Sequence, residues 1–315
     1  MLQDFLSENK KEFLPGLHTE VRAQTSTRQA VQIISGNLVG NSRNEVSGVS
    51  ARVYKNGVCG LSSSAEYSKD SVKNVIKAAG VNAEFMERRT GSGIVKTIDT
   101  IPYQKKFMVI GPNNVEQKVY IDFAKEIDEY IASKYPNLAS RGVVVSCDSM
   151  EKLICTSDGA DAHFFAPRSY IYVFMTAMTD SGTPVENFKA FGGFGTFENV
   201  FDKPADLFEQ IDAQYERLMQ KREGVFASAG LKTVILGGDL AGMIAHEAVG
   251  HTVEADMVLG GSVAASSLGK RVGSDLVSMT DFAYEAFGKT APLPVYVDDE
   301  GTPACDQLLI DHGIL

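Results

Sequence analysis

Residues 239–256 read D-L-A-G-M-I-A-H-E-A-V-G-H-T-V-E-A-D, and this stretch decides how the C-terminal half of the chain is organised. Two of the chain's five histidines stand here around a glutamate, inside an otherwise apolar segment. A β-branched run at 233–236 and two glycines lead to Asp239, whose residue type commonly caps helix N-termini. This order predicts a strand, a turn and then a helix that carries both histidines.

His246, Glu247 and His251 have the chemistry of a zinc site. Neutral imidazoles are common zinc ligands, and a carboxylate that does not bind the metal can accept a proton from water. We therefore predict that His246 and His251 bind Zn²⁺ and that Glu247 is the catalytic base. A histidine on a helix is often an ordinary core or surface residue, and short motifs recur by chance, so spacing alone leaves both interpretations open.

The spacing H-E-x-x-x-H is one residue longer than H-E-x-x-H, in which two histidines share one helical face. Five residues of regular α-helix turn the side chains about 140° apart. We predict a π-bulge between His246 and His251, because it would realign them and Gly250 has the backbone freedom to deform there. Glu254 would face the same way as His251, which predicts that it either holds this histidine or solvates the C-terminal end of the helix, rather than binding the metal.

Several segments closely resemble the TldD/PmbA family, also called modulators of DNA gyrase. In the C-terminal half they are 246–256, G-G-S-V at 260–263, L-G-K-R-V-G-S at 268–274 and D-D-E-G-T-P-A at 298–304. In the N-terminal half they are E-V-R-A at 20–23, G-V-S-A-R-V-Y-K-N-G-V-C-G at 48–60, T-S-D-G at 156–159 and G-G-F-G at 192–195. The resemblance therefore runs through almost the whole chain.

The resemblance implies a zinc metallopeptidase of the TldD-like branch, since the PmbA-like branch lacks H-E-x-x-x-H and acts as a partner subunit. The family's metal-binding histidines carry over to His246 and His251, and its catalytic glutamate to Glu247. The third ligand, a cysteine well downstream of D-D-E-G-T-P-A, does not carry over, because Cys305 follows that landmark too closely. The chain resembles a family member without its last portion.

Two functions follow from this resemblance. One is zinc-dependent cleavage of short or unfolded peptides, with a PmbA-like subunit or a second copy of the chain as partner. The alternative is a non-catalytic binding or assembly subunit of a peptidase complex, with an incomplete metal site. A structural or catalytic zinc site needs three or four protein donors, so the missing ligand makes the alternative a serious one.

Composition excludes several other classes of protein. The net charge of −10 and the absence of a basic run argue against nucleic-acid binding, which needs clustered lysines and arginines. The N-terminus lacks a basic segment followed by an apolar core, and no apolar stretch approaches 18 residues. The four cysteines lack C-x-x-C spacing, which is typical of free thiols in a reducing compartment. We expect a cytoplasmic protein without nucleic-acid or membrane partners.

The sequence predicts an α+β fold whose N-terminal α+β domain covers residues 1–140. A short amphipathic helix is predicted within 1–14. Alternating or β-branched segments at 19–25, 30–39 and 46–54 predict an antiparallel meander. Helical periodicity then predicts one helix from Ser68, whose apolar face consists of Val72, Val75, Ile76 and Ala79. It predicts a second helix over 115–134, whose apolar face consists of Val119, Phe123, Ile127 and Ile131.

A β-rich metallopeptidase domain is predicted over 141–315, because strand patterning returns after the helix stop at Pro136. Cys147 and Cys155 flank a predicted hairpin around D-S-M-E-K, and an apolar strand follows at 170–178. The glycine-rich segment at 191–197 is interpreted as an adaptable loop or a substrate-facing edge, since it lacks the other features of a phosphate-binding loop. A helix from Pro204 and then the motif helix complete this domain.

Overall fold

The computed structural model describes residues 10–93, 103–107 and 115–315, and these divide into two compact units. The first unit holds the residues up to Gly224 together with Tyr296–Pro303. The second holds Val225–Val295 and Ala304–Leu315. A large, mainly antiparallel sheet is combined with helices, so the predicted α+β class is confirmed. The helix predicted within 1–14 lies mostly outside the described residues.

The first unit is built on one sheet. Its strands are β1 (His18–Ile34), β2 (Asn37–Lys55), β3 (Val58–Ser64), β4 (Tyr103–Phe107), β5 (Ser140–Thr156), β6 (Ala160–Met178) and β7 (Pro184–Phe194), and its helices are α1 (Lys69–Thr90), α2 (Gln117–Lys134), α3 (Phe197–Val200) and α4 (Phe208–Arg222). The strand order is β3-β2-β1-β5-β6-β4, and β7 also pairs with β6. The β4–β6 pairing is parallel, and the other described pairings are antiparallel.

Two tight hairpins start the sheet. Ser35 and Gly36 connect β1 to β2 with φ values of 45° and 85°, and Asn56 and Gly57 connect β2 to β3 with 49° and 77°. Positive φ at both central residues is the requirement of a type I′ turn, whose twist matches that of paired strands. The K-N-G signal therefore predicts the second turn correctly.

The predicted three-strand division of residues 19–54 is wrong in detail, because β1 and β2 are two long strands. The N-S-R-N signal at 41–44 does not end β2, where Asn41 pairs with Val31 and Asn44 with Arg28. Backbone pairing with β1, itself held by β5 on its other side, outweighs the local turn preference of these residues.

The long helices largely follow their predicted faces. Ser68 caps α1, its hydroxyl accepting a hydrogen bond from the Ser71 N–H at 3.0 Å. In α1 the four predicted apolar positions are buried. In α2 the predicted Val119 is 43% exposed, and Tyr120 is buried instead. No helix within the described parts of the chain is long and apolar enough to cross a membrane.

Apolar clusters lie beneath both helices on one face of the sheet. Ala23 and Val31 of β1 are eight residues apart, so they point to the same side of the strand. Ala23 belongs to the cluster that packs against α1, with Val21, Val49, Ala51, Val53, Leu153 and Cys155. Val31 belongs to the cluster that packs against α2, with Ile33, Val143, Val145, Cys147 and Ile171.

The predicted hairpin between Cys147 and Cys155 is not formed, because β5 runs through both residues without a turn. Within D-S-M-E-K, Ser149 pairs with Thr27 of β1 on one side and with Pro167 of β6 on the other. β5 begins at Ser140, next to the domain boundary predicted between residues 140 and 141. The compact units of the structure divide after Gly224, and the change from helix to strand at 140 lies within the sheet of the first unit.

The second unit consists mainly of short elements. They are α5 (Gly238–Ala245), a π-helix (His246–Gly250), a 3₁₀ turn (His251–Val253), α6 (Ala255–Leu259), β8 (Met279–Asp281), β9 (Glu285–Ala286), β10 (Lys289–Thr290) and β11 (Gln307–Ile310). β8 pairs with β11, and β9 with β10. The run at 233–236 is not a strand, and Gly237 rather than Asp239 occupies the N-cap of α5.

Candidate metal centre

The helix widens at the position predicted from the histidine spacing. Residues His246–Gly250 form a π-helix, and the His251 N–H donates to the His246 carbonyl oxygen, which is the i→i+5 bond of a π-turn. The predicted bulge is therefore confirmed. Gly250 has φ and ψ of −49° and −55°, an ordinary right-handed helical conformation. The widening thus does not depend on a backbone conformation reserved for glycine.

The π-turn brings the two imidazoles together. The ring centres of His246 and His251 lie 5.6 Å apart with an interplanar angle of 33°. Two imidazoles that share one tetrahedral zinc ion at about 2.1 Å have ring centres about 5 Å apart. The observed pair fits a shared ion as two of its ligands. Across the described residues, no group of three or more histidine, cysteine or acidic side chains completes such a site.

Glu254 contacts His251, as predicted from their spacing. Its Oε1 atom lies 3.3 Å from His251 Nδ1. A carboxylate at this nitrogen favours the tautomer with the proton on Nδ1, which leaves the Nε2 lone pair available to a metal. Glu254 therefore orients the histidine that it touches.

Glu247 stands between the two histidines on the π-helix. Its side chain is exposed and makes no hydrogen bond or ion pair with the residues that the structure describes. A carboxylate without such a partner is available to accept a proton. The geometry therefore leaves Glu247 free for the role predicted from sequence.

A cavity of 340 Å³ opens beside His246. Its lining includes Gly242, Ala245, Gly250, Val253 and Glu254 from the motif helix, and Met279, Thr280, Asp281 and Leu309 from the paired strands β8 and β11. The strand residues were not anticipated, because nearly thirty residues separate β8 from the motif and no sequence pattern links them. They give the candidate centre a second wall.

The G-G-S-V landmark returns to the end of the motif helix. Ser262 donates a hydrogen bond from its hydroxyl to the Thr252 carbonyl oxygen at 2.6 Å. Thr252 in turn donates from its hydroxyl to the Val249 carbonyl oxygen at 2.8 Å. These bonds occupy carbonyl oxygens that the irregular helix leaves without regular partners, so this landmark supports the backbone around His251.

The cysteines do not join the histidine pair. All four are free thiols, as predicted. Burial raises the pKa of Cys147 to about 11 and that of Cys155 to about 12, so both remain neutral apolar residues at pH 7. Cys305 is exposed, and its sulfur lies 2.9 Å from Gln307 Nε2.

Two other sequence landmarks meet in the first unit. In D-D-E-G-T-P-A, Asp298 closes a turn by accepting from the N–H groups of Glu300 and Thr302. Asp299 forms ion pairs with Lys152 and with Arg22 of E-V-R-A. Burial alone would raise the pKa of Asp299, but the hydrogen bond from Lys152 and the Arg22 charge outweigh it and lower that pKa.

Family models match three parts of the chain. They describe a PmbA/TldA metallopeptidase domain 1 over residues 19–83, a central domain over 110–219 and a C-terminal domain over 229–315. Together the three matches account for most of the chain, and the last of them includes the H-E-x-x-x-H motif.

Curated relatives extend beyond the matched region. A metalloprotease of Methanocaldococcus jannaschii is 29% identical, over 95% of this chain and 65% of the relative. A metalloprotease of Methanothermobacter thermautotrophicus is 25% identical, over 95% of this chain and 63% of the relative. A metalloprotease TldD homolog of Buchnera aphidicola is 25% identical, over 85% of this chain and 55% of the relative. The chain thus spans less than two thirds of the length of each.

Solved structures share the fold. TldE from Thermococcus kodakarensis matches 99% of this chain and 68% of its own, with a TM-score of 0.67 and 17% identity. A Thermotoga maritima protein described as a candidate modulator of a DNA gyrase matches 100% of this chain and 70% of its own, with a TM-score of 0.69 and 17% identity. At this identity the likeness concerns the fold alone.

Proposed function

Because this chain belongs to the PmbA/TldD family of metallopeptidases, we propose that it is a zinc-dependent peptidase of the TldD type that cleaves short or unfolded peptides. The observation that carries the proposal is the π-turn, which sets the rings of His246 and His251 5.6 Å apart. A regular α-helix would aim side chains five residues apart about 140° from one another. The local widening therefore supports a shared role for the two histidines.

In the proposed mechanism His246 and His251 hold the ion, and Glu254 keeps His251 oriented. Zinc, when bound, supplies Lewis acidity, which polarises a peptide carbonyl and makes water more acidic. Glu247 accepts the proton of the attacking water at its carboxylate and delivers it to the departing amine. The cavity beside His246 offers space for the part of the peptide next to the cleaved bond.

The second candidate function is a non-catalytic binding or assembly subunit of a peptidase complex. The observation that favours it is the donor count, since no third donor joins the histidines in the parts of the chain that the structure describes. Two protein ligands hold zinc less tightly than three or four. Metal retention distinguishes the two candidate functions, because the peptidase should retain zinc tightly and the non-catalytic subunit should not.

The proposed partner is a PmbA-like subunit or a second copy of this chain, and the proposed location is the cytoplasm. Homologues named TldD and a structural neighbour named TldE support a partner of the first kind. The proposed division into an N-terminal domain over 1–140 and a peptidase domain over 141–315 belongs to the same proposal. The acidic composition of the chain argues against a nucleic-acid partner.

The first experiment measures zinc in the purified chain by elemental analysis, beside a His246→Ala, His251→Ala double variant. The peptidase proposal expects about one zinc per chain, lost in the double variant. Little or no zinc in the unaltered chain, after incubation with zinc and removal of the excess, would favour the non-catalytic subunit.

The second experiment tests Glu247 by peptidase assay. A Glu247→Gln variant keeps the shape of the side chain but cannot accept the proton, so turnover should fall by about 10² to 10⁴ while zinc content stays unchanged. Glu285→Gln is the matched control, because Glu285 is an exposed glutamate of the same unit. Unchanged turnover in Glu247→Gln would refute the role given to this residue.

A further inference from the structure

One wall of the cavity beside His246 is fixed by strand pairing. In the second unit β8 pairs with β11, so that Met279 lies opposite Ile310 and Asp281 lies opposite Gln307. The residues that this pair of strands contributes to the lining are Met279, Thr280, Asp281 and Leu309. Backbone hydrogen bonds between the strands hold these residues in place, so the wall presents the same groups to any molecule that enters the cavity.

Asp281 shares the side of β8 that faces the motif helix. Alternate residues of a strand point the same way, so Asp281 lies on the side of Met279. The Met279 Cε atom lies 3.7 Å from the position of a Cβ atom built on Gly250, the last residue of the π-helix. Met279 therefore reaches the widened turn between His246 and His251. Asp281 stands beside Met279 on the same wall, and both line the cavity.

Asp281 is the charged residue of the lining that has no partner. The other lining residues that can carry charge are His246, a proposed zinc ligand, and Glu254, which contacts His251. Asp281 is exposed, and its carboxylate forms no hydrogen bond or ion pair with the residues that the structure describes. Among the described residues that line the cavity there is no lysine or arginine. The cavity therefore has a carboxylate without a counter-ion.

This carboxylate stays uncompensated when zinc is bound. Zinc brings two positive charges, neutral imidazole ligands add none, and the motif helix supplies two carboxylates, those of Glu247 and Glu254. Asp281 then adds one further negative charge to a cavity whose other lining residues are mostly glycine or apolar. A surplus of one negative charge favours a ligand that carries a positive charge at this wall.

We propose that Asp281 makes this site select peptides with a cationic nitrogen group beside the cleaved bond. The inference rests on the proposed peptidase function and names its substrate class. The group is the α-ammonium of a free N-terminus or the side-chain ammonium of a lysine, since both offer the same N–H donors to a carboxylate. Asp281 accepts these hydrogen bonds, and the aliphatic part of the substrate residue packs on Met279 and Leu309. Asp281 thus determines specificity and takes no part in the proton transfer.

A peptide with an acidic residue at this position should be a poor substrate. Its carboxylate would lie against Asp281, and two like charges without a cation between them repel each other. Norleucine, an uncharged residue with the aliphatic chain of lysine, fits the apolar lining but leaves Asp281 unpaired. The expected order of preference is therefore lysine, norleucine and glutamate.

Cleavage of matched pentapeptides by the zinc-loaded chain tests the proposal. Three alanine pentapeptides capped at both ends carry lysine, norleucine or glutamate at the centre, and an all-alanine pentapeptide is compared with and without an N-terminal acetyl group. In kcat/KM, either lysine over norleucine or the free N-terminus over the acetylated one should be preferred by about tenfold, and the preferred pair identifies the source of the ammonium. The proposal is overturned if neither positive charge gives a preference.

An Asp281→Asn variant assigns the preference to this residue. It keeps the shape of the side chain and removes its charge, so the preference for the cationic peptide should fall from about tenfold to about one. Asp275→Asn is the matched control, because Asp275 is an exposed aspartate of the same unit that does not line the cavity, and it should keep the preference. An unchanged preference in Asp281→Asn would overturn the assignment. Loss of zinc from this variant would also overturn it, since Asp281 would then hold the metal rather than the substrate.

The failure of this inference differs from the failure of the proposed function. If all the peptides are cleaved equally well, the chain is a peptidase and the selection by Asp281 is refuted. If none is cleaved, the peptidase function is refuted, and calorimetric titration of the zinc-loaded chain with the same peptides still decides the selection. Binding of the cationic peptide about tenfold tighter than its neutral match, lost in Asp281→Asn, supports the inference, and equal binding overturns it.

Discussion

Gly60 of β3 is a position where one added methyl group should cost considerable stability. A Cβ atom built there would lie 2.1 Å from the Ala79 carbonyl oxygen and 2.3 Å from the Ala83 nitrogen, both on the backbone of α1. Comfortable contact begins at about 3.5 Å, so the helix and the strand must separate by about 1.4 Å in a Gly60→Ala variant. A gap of that size removes much of the dispersion attraction across the α1 cluster.

Overpacking of a core costs about 1–3 kcal/mol, and we expect Gly60→Ala to reach about 3 kcal/mol, because backbone atoms cannot rotate away. For a unit of this size each kcal/mol lowers Tm by about 2–4 °C, so the expected decrease is about 6–12 °C. Thermal unfolding followed by circular dichroism measures it. Gly193→Ala is the control, since nothing lies within 4 Å of its added Cβ atom. A loss below about 1 kcal/mol in Gly60→Ala would refute the reasoning.

Three further changes test other parts of the molecule. Burial alone would raise the pKa of Asp212, but hydrogen bonds from Lys134 and two tyrosine hydroxyls outweigh it and lower that pKa. Asp212→Asn should therefore cost about 1–2 kcal/mol at pH 7. In urea unfolding this difference should begin to shrink as the pH falls below about 4, the ordinary pKa of an aspartate, and should vanish below the lowered pKa of folded Asp212, where its carboxylate protonates. An unchanged difference in acid would contradict the assignment. Glu254→Gln should weaken zinc binding by about ten- to a hundredfold, measured by competition with a chelator, because His251 loses its orienting carboxylate. Equal zinc affinity would show that the contact between Glu254 and His251 is incidental. The Gly250→Ala variant should keep the fold and the zinc content of the unaltered chain, since the added Cβ atom meets no atom nearer than 3.7 Å. Loss of zinc in this variant would show that the π-turn needs glycine.

Periodicity predicted the elements whose stability is decided locally. The cap at Ser68 and the buried face of α1 follow from residue types and a period of 3.6. The π-turn also follows from local geometry, because His246 and His251, five residues apart, can face the same site only if the helix widens between them. In these cases the sequence neighbourhood contains most of the relevant contacts.

Predictions failed where distant strands decide the outcome. D-S-M-E-K has the composition of a turn, yet it stays extended because β1 and β6 supply hydrogen-bond partners on both sides. The run at 233–236 has the composition of a strand but remains irregular, since a strand needs a neighbour to pair with. The wall formed by Met279 and Asp281 likewise depends on the fold rather than on any local pattern.

The landmarks outside the H-E-x-x-x-H motif have a structural explanation that sequence comparison does not supply. Asp299 is held by Lys152 and Arg22, and Arg52 both donates to the Asp299 carbonyl oxygen and pairs with Glu20. E-V-R-A, the G-V-S-A-R segment and D-D-E-G therefore contribute to one charged cluster, although more than 240 residues separate Arg52 from Asp299. Each buried or half-buried charge here has an opposite partner, and removal of one member would leave another uncompensated. This mutual dependence is a sufficient physical reason for these residue types to occur together, without any catalytic role for the cluster.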